Sequence, residues 1–181
     1  MSLEGLLADF RFGEHNAVLC SSITALQQLL IEYCRVSLNS NEILLILTSY
    51  DSIANLLKAL KVIDTKLNSR QRDGSLVIRD SAKAYFNLAD ELVDILIMIR
   101  MLLQRKRKLG KDGLTVICDM GIFFHKNRIV DLVSHEARLS LGSSDFSEVR
   151  IICCYVKPSL SLLTQQQSPQ ILRAHTKTLG F

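Results

Sequence analysis

The stretch Gly113–Phe124, GLTVICDMGIFF, decides the fold. Leu114 to Cys118 is apolar apart from Thr115, rich in β-branched residues and bounded by Gly113 and Gly121. A run of this kind predicts a strand buried on both faces, as in the centre of a parallel sheet that helices cover above and below. Asp119 then stands at the carboxyl end of that strand, the edge of an open α/β sheet where ligands bind.

On either side the same grammar repeats. Asn16–Cys20 (NAVLC), Glu42–Thr48 (EILLILT), Ser75–Arg79 (SLVIR) and Val149–Tyr155 (VRIICCY) read as further strands. Helical spacing of apolar residues predicts helices over Ile23–Val36, Ile53–Ile63, Leu88–Leu109 and Arg128–Leu141, with a last short helix over Pro169–Leu179. Ser21 and Ser22 are placed to cap the first helix, and Gly110 and Gly113 to stop the long one. The polar stretches Lys66–Gly74 and Gly142–Ser147 read as loops. Five alternations of strand and helix predict a three-layer α/β/α domain with a mainly parallel sheet of at least five strands.

Composition agrees with one soluble domain spanning residues 1–181. At 181 residues the chain can bury a sizeable core, and 48% hydrophobic with 22% charged residues is ordinary for a globular protein. The basic excess, 22 Lys and Arg against 18 Asp and Glu, gathers at Arg105–Lys108. At the end of a helix such a cluster suits the negative pole of the dipole and reads as a solvated face. With no interleaved aromatics or reader motif, no nucleic-acid partner is expected. The five cysteines make no CxxC pair and four lie in strand-like runs, which predicts free thiols in a reducing cytoplasm. Cys153 and Cys154 are strand neighbours pointing to opposite faces, so they are not expected to share a metal, and no metal or other cofactor is expected. Met1–Phe12 carries Glu4 and Asp9 and lacks the apolar core of a signal peptide. Leu92–Leu103, broken by Asp94 and Arg100, falls well short of the roughly 20 apolar residues of a membrane span. It reads as a helix buried in protein or at a subunit interface.

Several chemistries are excluded. The eight glycines include no two five apart, so no Walker A loop can curl its N–H groups around phosphates, and no GxGxxG dinucleotide turn exists. No GxSxG elbow surrounds Ser21, and no hydrolase triad or other catalytic set is expected. Asp119 stands where a Walker B carboxylate would hold Mg²⁺, although aspartate after a strand is also ordinary turn chemistry.

Misplaced polar residues carry more information. On the helix Arg128–Leu141 the apolar stripe runs through Ile129, Leu132, Val133 and Leu139, and Glu136 falls inside it. A carboxylate there must be paired, hydrogen-bonded or protonated. His175 continues the face of Ile171 and Leu172, and His15 immediately precedes the first strand. These three form a polar site or a structural cluster, with an arginine such as Arg150 or Arg173 as an alternative partner for Glu136. His125 and His135 read as turn or outward positions. Tyr50 and Tyr155, at the carboxyl ends of strands two and five, are placed to line a crevice.

The order of His15 before the first strand, NEILLILTSYDS, GLTVICDMGIFF, HEARL around Glu136, IICCY with Tyr155 and the closing ILRAH with His175 resembles the MEDS domain. That sensory domain is named for methanogens, methylotrophs and the regulator DcmR, and the likeness covers nearly the whole chain. The same string of elements is similar to the KaiC and RecA-like ATPase core, with the phosphate loop lost. The resemblance implies a non-catalytic module that detects small organic metabolites and signals to a histidine kinase or transcription regulator. The matching positions are His15, Glu136, Tyr155 and His175. With no output domain in these 181 residues, the signal is expected to leave through a separate partner or through self-association as a homodimer. A small organic ligand is expected at the sheet's carboxyl edge, near Ser21, Ser22, Tyr50, Asp119 and Tyr155. Two alternatives stand beside this reading: a divergent ATP-binding protein that uses Asp119 for Mg²⁺, and an interaction module that self-associates through Leu92–Leu103.

Overall fold

The expected strands and one more form a single sheet in the computed structural model, which describes residues 9–143 and 146–181. The strands are β1 (His15–Cys20), β2 (Glu42–Thr48), β3 (Leu76–Asp80), β4 (Gly113–Asp119), β5 (Val149–Val156) and β6 (Lys177–Gly180). Their order is β3-β2-β4-β5-β1-β6, and every pairing is parallel. The stretch that decides the fold is β4, next to the middle of the sheet and buried at all seven positions.

Helices cover both faces. Helices α1 (Ile23–Asn39), α2 (Ile53–Ile63) and α3 (Leu67–Asp73) pack on one side. There Leu26, Leu30, Leu56, Leu60 and Leu67 meet Val18, Leu44, Ile46, Ile117 and Ile152. On the other side lie α4 (Ser81–Tyr85), α5 (Ile95–Lys108), α6 (Gly121–His125), α7 (Ile129–Ser143) and α9 (Gln167–Arg173). Their Tyr85, Ile99, Phe123, Leu132 and Ile171 meet Leu45, Val116, Cys118, Ile151 and Tyr155. A short α8 (Lys157–Leu160) follows β5. Residues of opposite parity on each strand therefore feed two separate cores, each fully buried leucine or isoleucine contributing about 1.5 to 3 kcal/mol.

Four expectations of local structure are corrected. Lys66–Gly74 is largely helical: Leu67 is buried, Arg70 pairs with Asp64 at 2.7 Å, and Gly74, at φ +79°, closes the helix with its N–H on the Arg70 carbonyl. The long helix does not begin at Leu88. Asp94 accepts from the Leu96 N–H and starts α5 there, while Phe86 and Leu92 pair across a bend with Asp90 at φ 58°. The tail helix stops at Arg173, and Lys177–Gly180 becomes the edge strand β6, too short and too exposed to read as a strand by itself. The basic run is only partly solvated: Lys106 is 5% exposed and hydrogen-bonds Glu148. Part of the expected loop Gly142–Ser147 lies outside the described residues.

Candidate functional site

Glu136 is a fully buried carboxylate, which α7 carries against the sheet face formed by β1 and β5. Leu132 and Leu139 flank it on the same helical stripe, and all three are buried. His15, Cys153 and Tyr155 reach Glu136 from below because they share one sheet face: Cys153 pairs with Ala17 in register, two residues from His15, and Tyr155 follows two residues after Cys153. His175 arrives from the turn between α9 and β6. Its Nε2 lies 3.2 Å from Glu136 Oε2, and His15 Nε2 lies 3.0 Å from the same oxygen. Tyr155 donates its hydroxyl to the other oxygen, Oε1. The two imidazole rings are 4.2 Å apart.

Glu136 is 0% exposed. Burial alone would push its carboxyl up, but His15 and His175 more than reverse that and hold it well below the usual carboxylate range, so it is ionised. Burial, reinforced by the Glu136 charge, pushes the Tyr155 phenol up, which keeps it a donor. Each histidine is oriented by its second nitrogen. His15 Nδ1 donates to the Ala174 carbonyl at 3.1 Å, and His175 Nδ1 donates to the Ile171 carbonyl at 2.8 Å.

The structure thus brings together His15, Glu136 and His175, and it adds Tyr155 to them. Tyr155 had been expected to line the edge crevice, yet it faces Glu136. Neither Arg150 nor Arg173 partners Glu136 here; Arg150 pairs instead with Glu42 at 2.8 Å. Cys153, whose Sγ lies 3.3 Å from His15 Nε2, is the member that sequence reasoning missed. The available signal was parity, since Cys153 and Tyr155 are two apart on one strand and must share a face. His135 is a correction: it is 3% exposed, wedged against Tyr85 and Phe123, and burial pushes it down to about 4, so it is neutral at physiological pH. Three residues after Leu132 and four before Leu139, it lies on the same buried stripe as Glu136. His125 is exposed, as expected.

At the carboxyl edge, Asp119 is 0% exposed and fully engaged. Its Oδ2 accepts from Ser49 N (2.7 Å), Ser49 Oγ (2.9 Å) and Tyr50 N (2.8 Å), and its Oδ1 from Gly121 N (2.9 Å). The aspartate therefore ties the end of β4 to the turn after β2. Tyr50 shares a hydrogen bond with Ser159 at 2.9 Å, and Ser22 Oγ caps α1 through the Ala25 N–H. Ser21 is exposed and gives its N–H to the Phe181 carbonyl at 2.7 Å.

A cleft of about 420 Å³ opens beside the edge strand β3, between β3 and α5. Val77, Met98, Met101 and Leu102 supply apolar wall, and Arg79 and Arg105 supply charge. Arg105 is engaged with the Asp73 carbonyl at 2.9 Å. The exposed side chain of Arg79 makes no hydrogen bond or ion pair among the described residues.

An all-parallel sheet covered on both faces, with a buried carboxylate clasped by two imidazoles and a phenol, defines an α/β protein built around an internal polar centre. The family description of the MEDS domain, "MEthanogen/methylotroph, DcmR Sensory domain", matches residues 14–176, and the chain belongs to that family. Membership implies a sensory or signalling role. No curated protein matches the chain. Among the described residues no helix is long and apolar enough to cross a membrane.

Proposed function

We propose that this domain receives a small organic molecule in the cleft between β3 and α5 and hands the event to a protein partner or to a second copy of itself, without chemically altering the ligand. The observation that carries this reading is the pairing of an apolar, methionine-bearing wall with an uncommitted guanidinium at Arg79. A volume of this size suits a metabolite-sized ligand, methionine adapts to irregular apolar shapes, and an unpaired arginine recognises a carboxylate or other oxyanion. The favoured ligand class is therefore a short organic acid with an apolar body. The test is calorimetric titration with a panel of short-chain organic acids, alcohols and amines. Saturable binding of an acid that Arg79→Ala weakens by about tenfold or more supports the reading; heat signals for none of the panel, from protein with native circular dichroism, contradict it.

The signal's exit has support on the same helix. Ile97 and Met101, four residues apart on α5, are 55% and 66% exposed, an apolar strip beside the cleft that suits contact with another protein surface. Nucleotide binding at the carboxyl edge has less support, because a Mg²⁺ ion on Asp119 would have to displace the four donors that its carboxylate already satisfies.

A further inference from the structure

While both imidazoles are neutral, the centre around Glu136 gathers acceptors against one another, a conflict that protonation of a ring or a bound cation relieves. A backbone carbonyl can only accept, so the hydrogen bonds from His15 Nδ1 to Ala174 and from His175 Nδ1 to Ile171 put a proton on each Nδ1. In the neutral ring the remaining nitrogen, Nε2, then carries a bare lone pair. Both Nε2 atoms face one carboxylate oxygen, Glu136 Oε2, at 3.0 and 3.2 Å. Three acceptors then converge, and the Cys153 thiol, 3.3 Å from His15 Nε2, can donate to His15 but leaves the other two unserved. Glu136 Oε2 and His175 Nε2 are both buried and without a hydrogen-bond partner, although they are neighbours. Cys153 Sγ completes the group, and the four atoms all lie within 4.8 Å of one another.

We infer that His15 Nε2, His175 Nε2, Glu136 Oε2 and Cys153 Sγ are the ligands of one tetrahedral divalent metal ion of the zinc class. Bonds of about 2.0 Å to nitrogen and oxygen and about 2.3 Å to sulfur give tetrahedral edges of roughly 3.3 to 3.5 Å. The three close approaches here, at 3.0, 3.2 and 3.3 Å, sit at or slightly inside the short end of that range and no pair is farther apart than 4.8 Å. Side-chain shifts of about an ångström would therefore admit an ion. Charge also closes: two neutral imidazoles, one carboxylate and one thiolate balance a divalent cation, which lets the whole site remain buried. Binding releases the Cys153 proton, because the ligand is the thiolate. The outer contacts are of the kind that such centres carry, with each imidazole donating its far N–H to a carbonyl and the carboxylate braced by a phenol. Mixed nitrogen, oxygen and sulfur donors in a four-fold arrangement favour Zn²⁺ over Mg²⁺ or Ca²⁺. The ligands come from β1, α7, β5 and the turn after α9, so the ion would pin the first strand and the last helix of the sheet's C-terminal half to one point.

The experiment uses the untagged chain of residues 1–181, purified with zinc present and desalted, then stripped and reloaded with Co²⁺. About one equivalent of zinc by mass spectrometry, the visible absorption of tetrahedral Co²⁺ and a thiolate-to-cobalt charge-transfer band in the near ultraviolet are expected. Cys153→Ser should abolish the charge-transfer band while leaving a visible spectrum, His175→Ala should weaken zinc binding by more than about 100-fold, and His125→Ala should change neither. Wild-type protein with native circular dichroism that holds no zinc above background and gives no Co²⁺ spectrum overturns the inference. So does a Co²⁺ spectrum that lacks the thiolate band. The inference does not rest on the cleft at α5, and Arg79→Ala leaves its readouts untouched.

Discussion

The Tyr155 hydroxyl, at the end of β5, donates to Glu136 Oε1 in the middle of α7, so a phenol from the sheet holds a carboxylate from the helix that covers it. Both residues are buried, so bulk solvent does not reach either partner. Tyr155→Phe keeps the ring and removes only the donor, which leaves Oε1 unsatisfied. The expected cost is about 1 to 3 kcal/mol, read as a lower urea midpoint with an unchanged slope.

Asp119 gives a sharper case, because all its donors are fixed. Asparagine has the same shape but must aim an NH₂ at donors on one side or the other, Ser49 and Tyr50 or Gly121. Asp119→Asn should destabilise the fold by about 2 to 4 kcal/mol, with the turn after β2 losing amide-exchange protection before the rest of the sheet. Protection at Ser49 and Tyr50 equal to wild type would show that the carboxylate does not hold this turn.

Gly121 is required by closeness. A Cβ there would stand 2.3 Å from Tyr50 Cε2 and 2.9 Å from Ser49 Oγ. Gly121→Ala should cost about 1 to 3 kcal/mol by overpacking and should displace the Tyr50 ring from Ser159. Tyr50→Ala in the same chain makes room, and the double variant should recover part of the loss; strict additivity in thermal melts would contradict the steric account.

A pH effect follows from Lys106. Its hydrogen bond, and then its charge, hold Glu148 below the ordinary glutamate value of 4.5. A carboxyl lowered in the folded state contributes stability that is complete above 4.5 and is lost as pH falls through the folded value. Glu148→Gln should therefore reduce stability at neutral pH and flatten the acid limb below 4.5. If the difference between wild type and Glu148→Gln stayed constant from pH 7 to pH 3, the pair would not be the cause.

The sheet was legible because β2, β4 and β5 are buried nearly throughout, and burial on both faces leaves a plain signal in sequence. Their neighbours were read with small errors at the ends. What escaped was structure held by few contacts: α3 depends on one leucine, one ion pair and a left-handed glycine, and β6 on pairing with β1. At the site, Glu136, His15 and His175 were visible as polar residues where apolar ones belong. Cys153 was not, since a cysteine in a strand looks like any small hydrophobe until the register sets it beside His15. Tyr155 was noticed but placed at the edge, because its position at a strand end says nothing about which face its ring takes. His135 was within reach of the same helical arithmetic that found Glu136.

The position of β1 between β5 and β6 has a consequence for synthesis. Among the strands of this sheet β1 is made before the others, yet it has no hydrogen-bonded neighbour until residues 149–156 and 177–180 have followed. Assembly must close loops of well over 100 residues, which slows it and leaves an apolar segment waiting in the open. Translational pauses ahead of residues 149–156 and 177–180 should therefore raise the demand for chaperones far more than the small size of these two strands suggests.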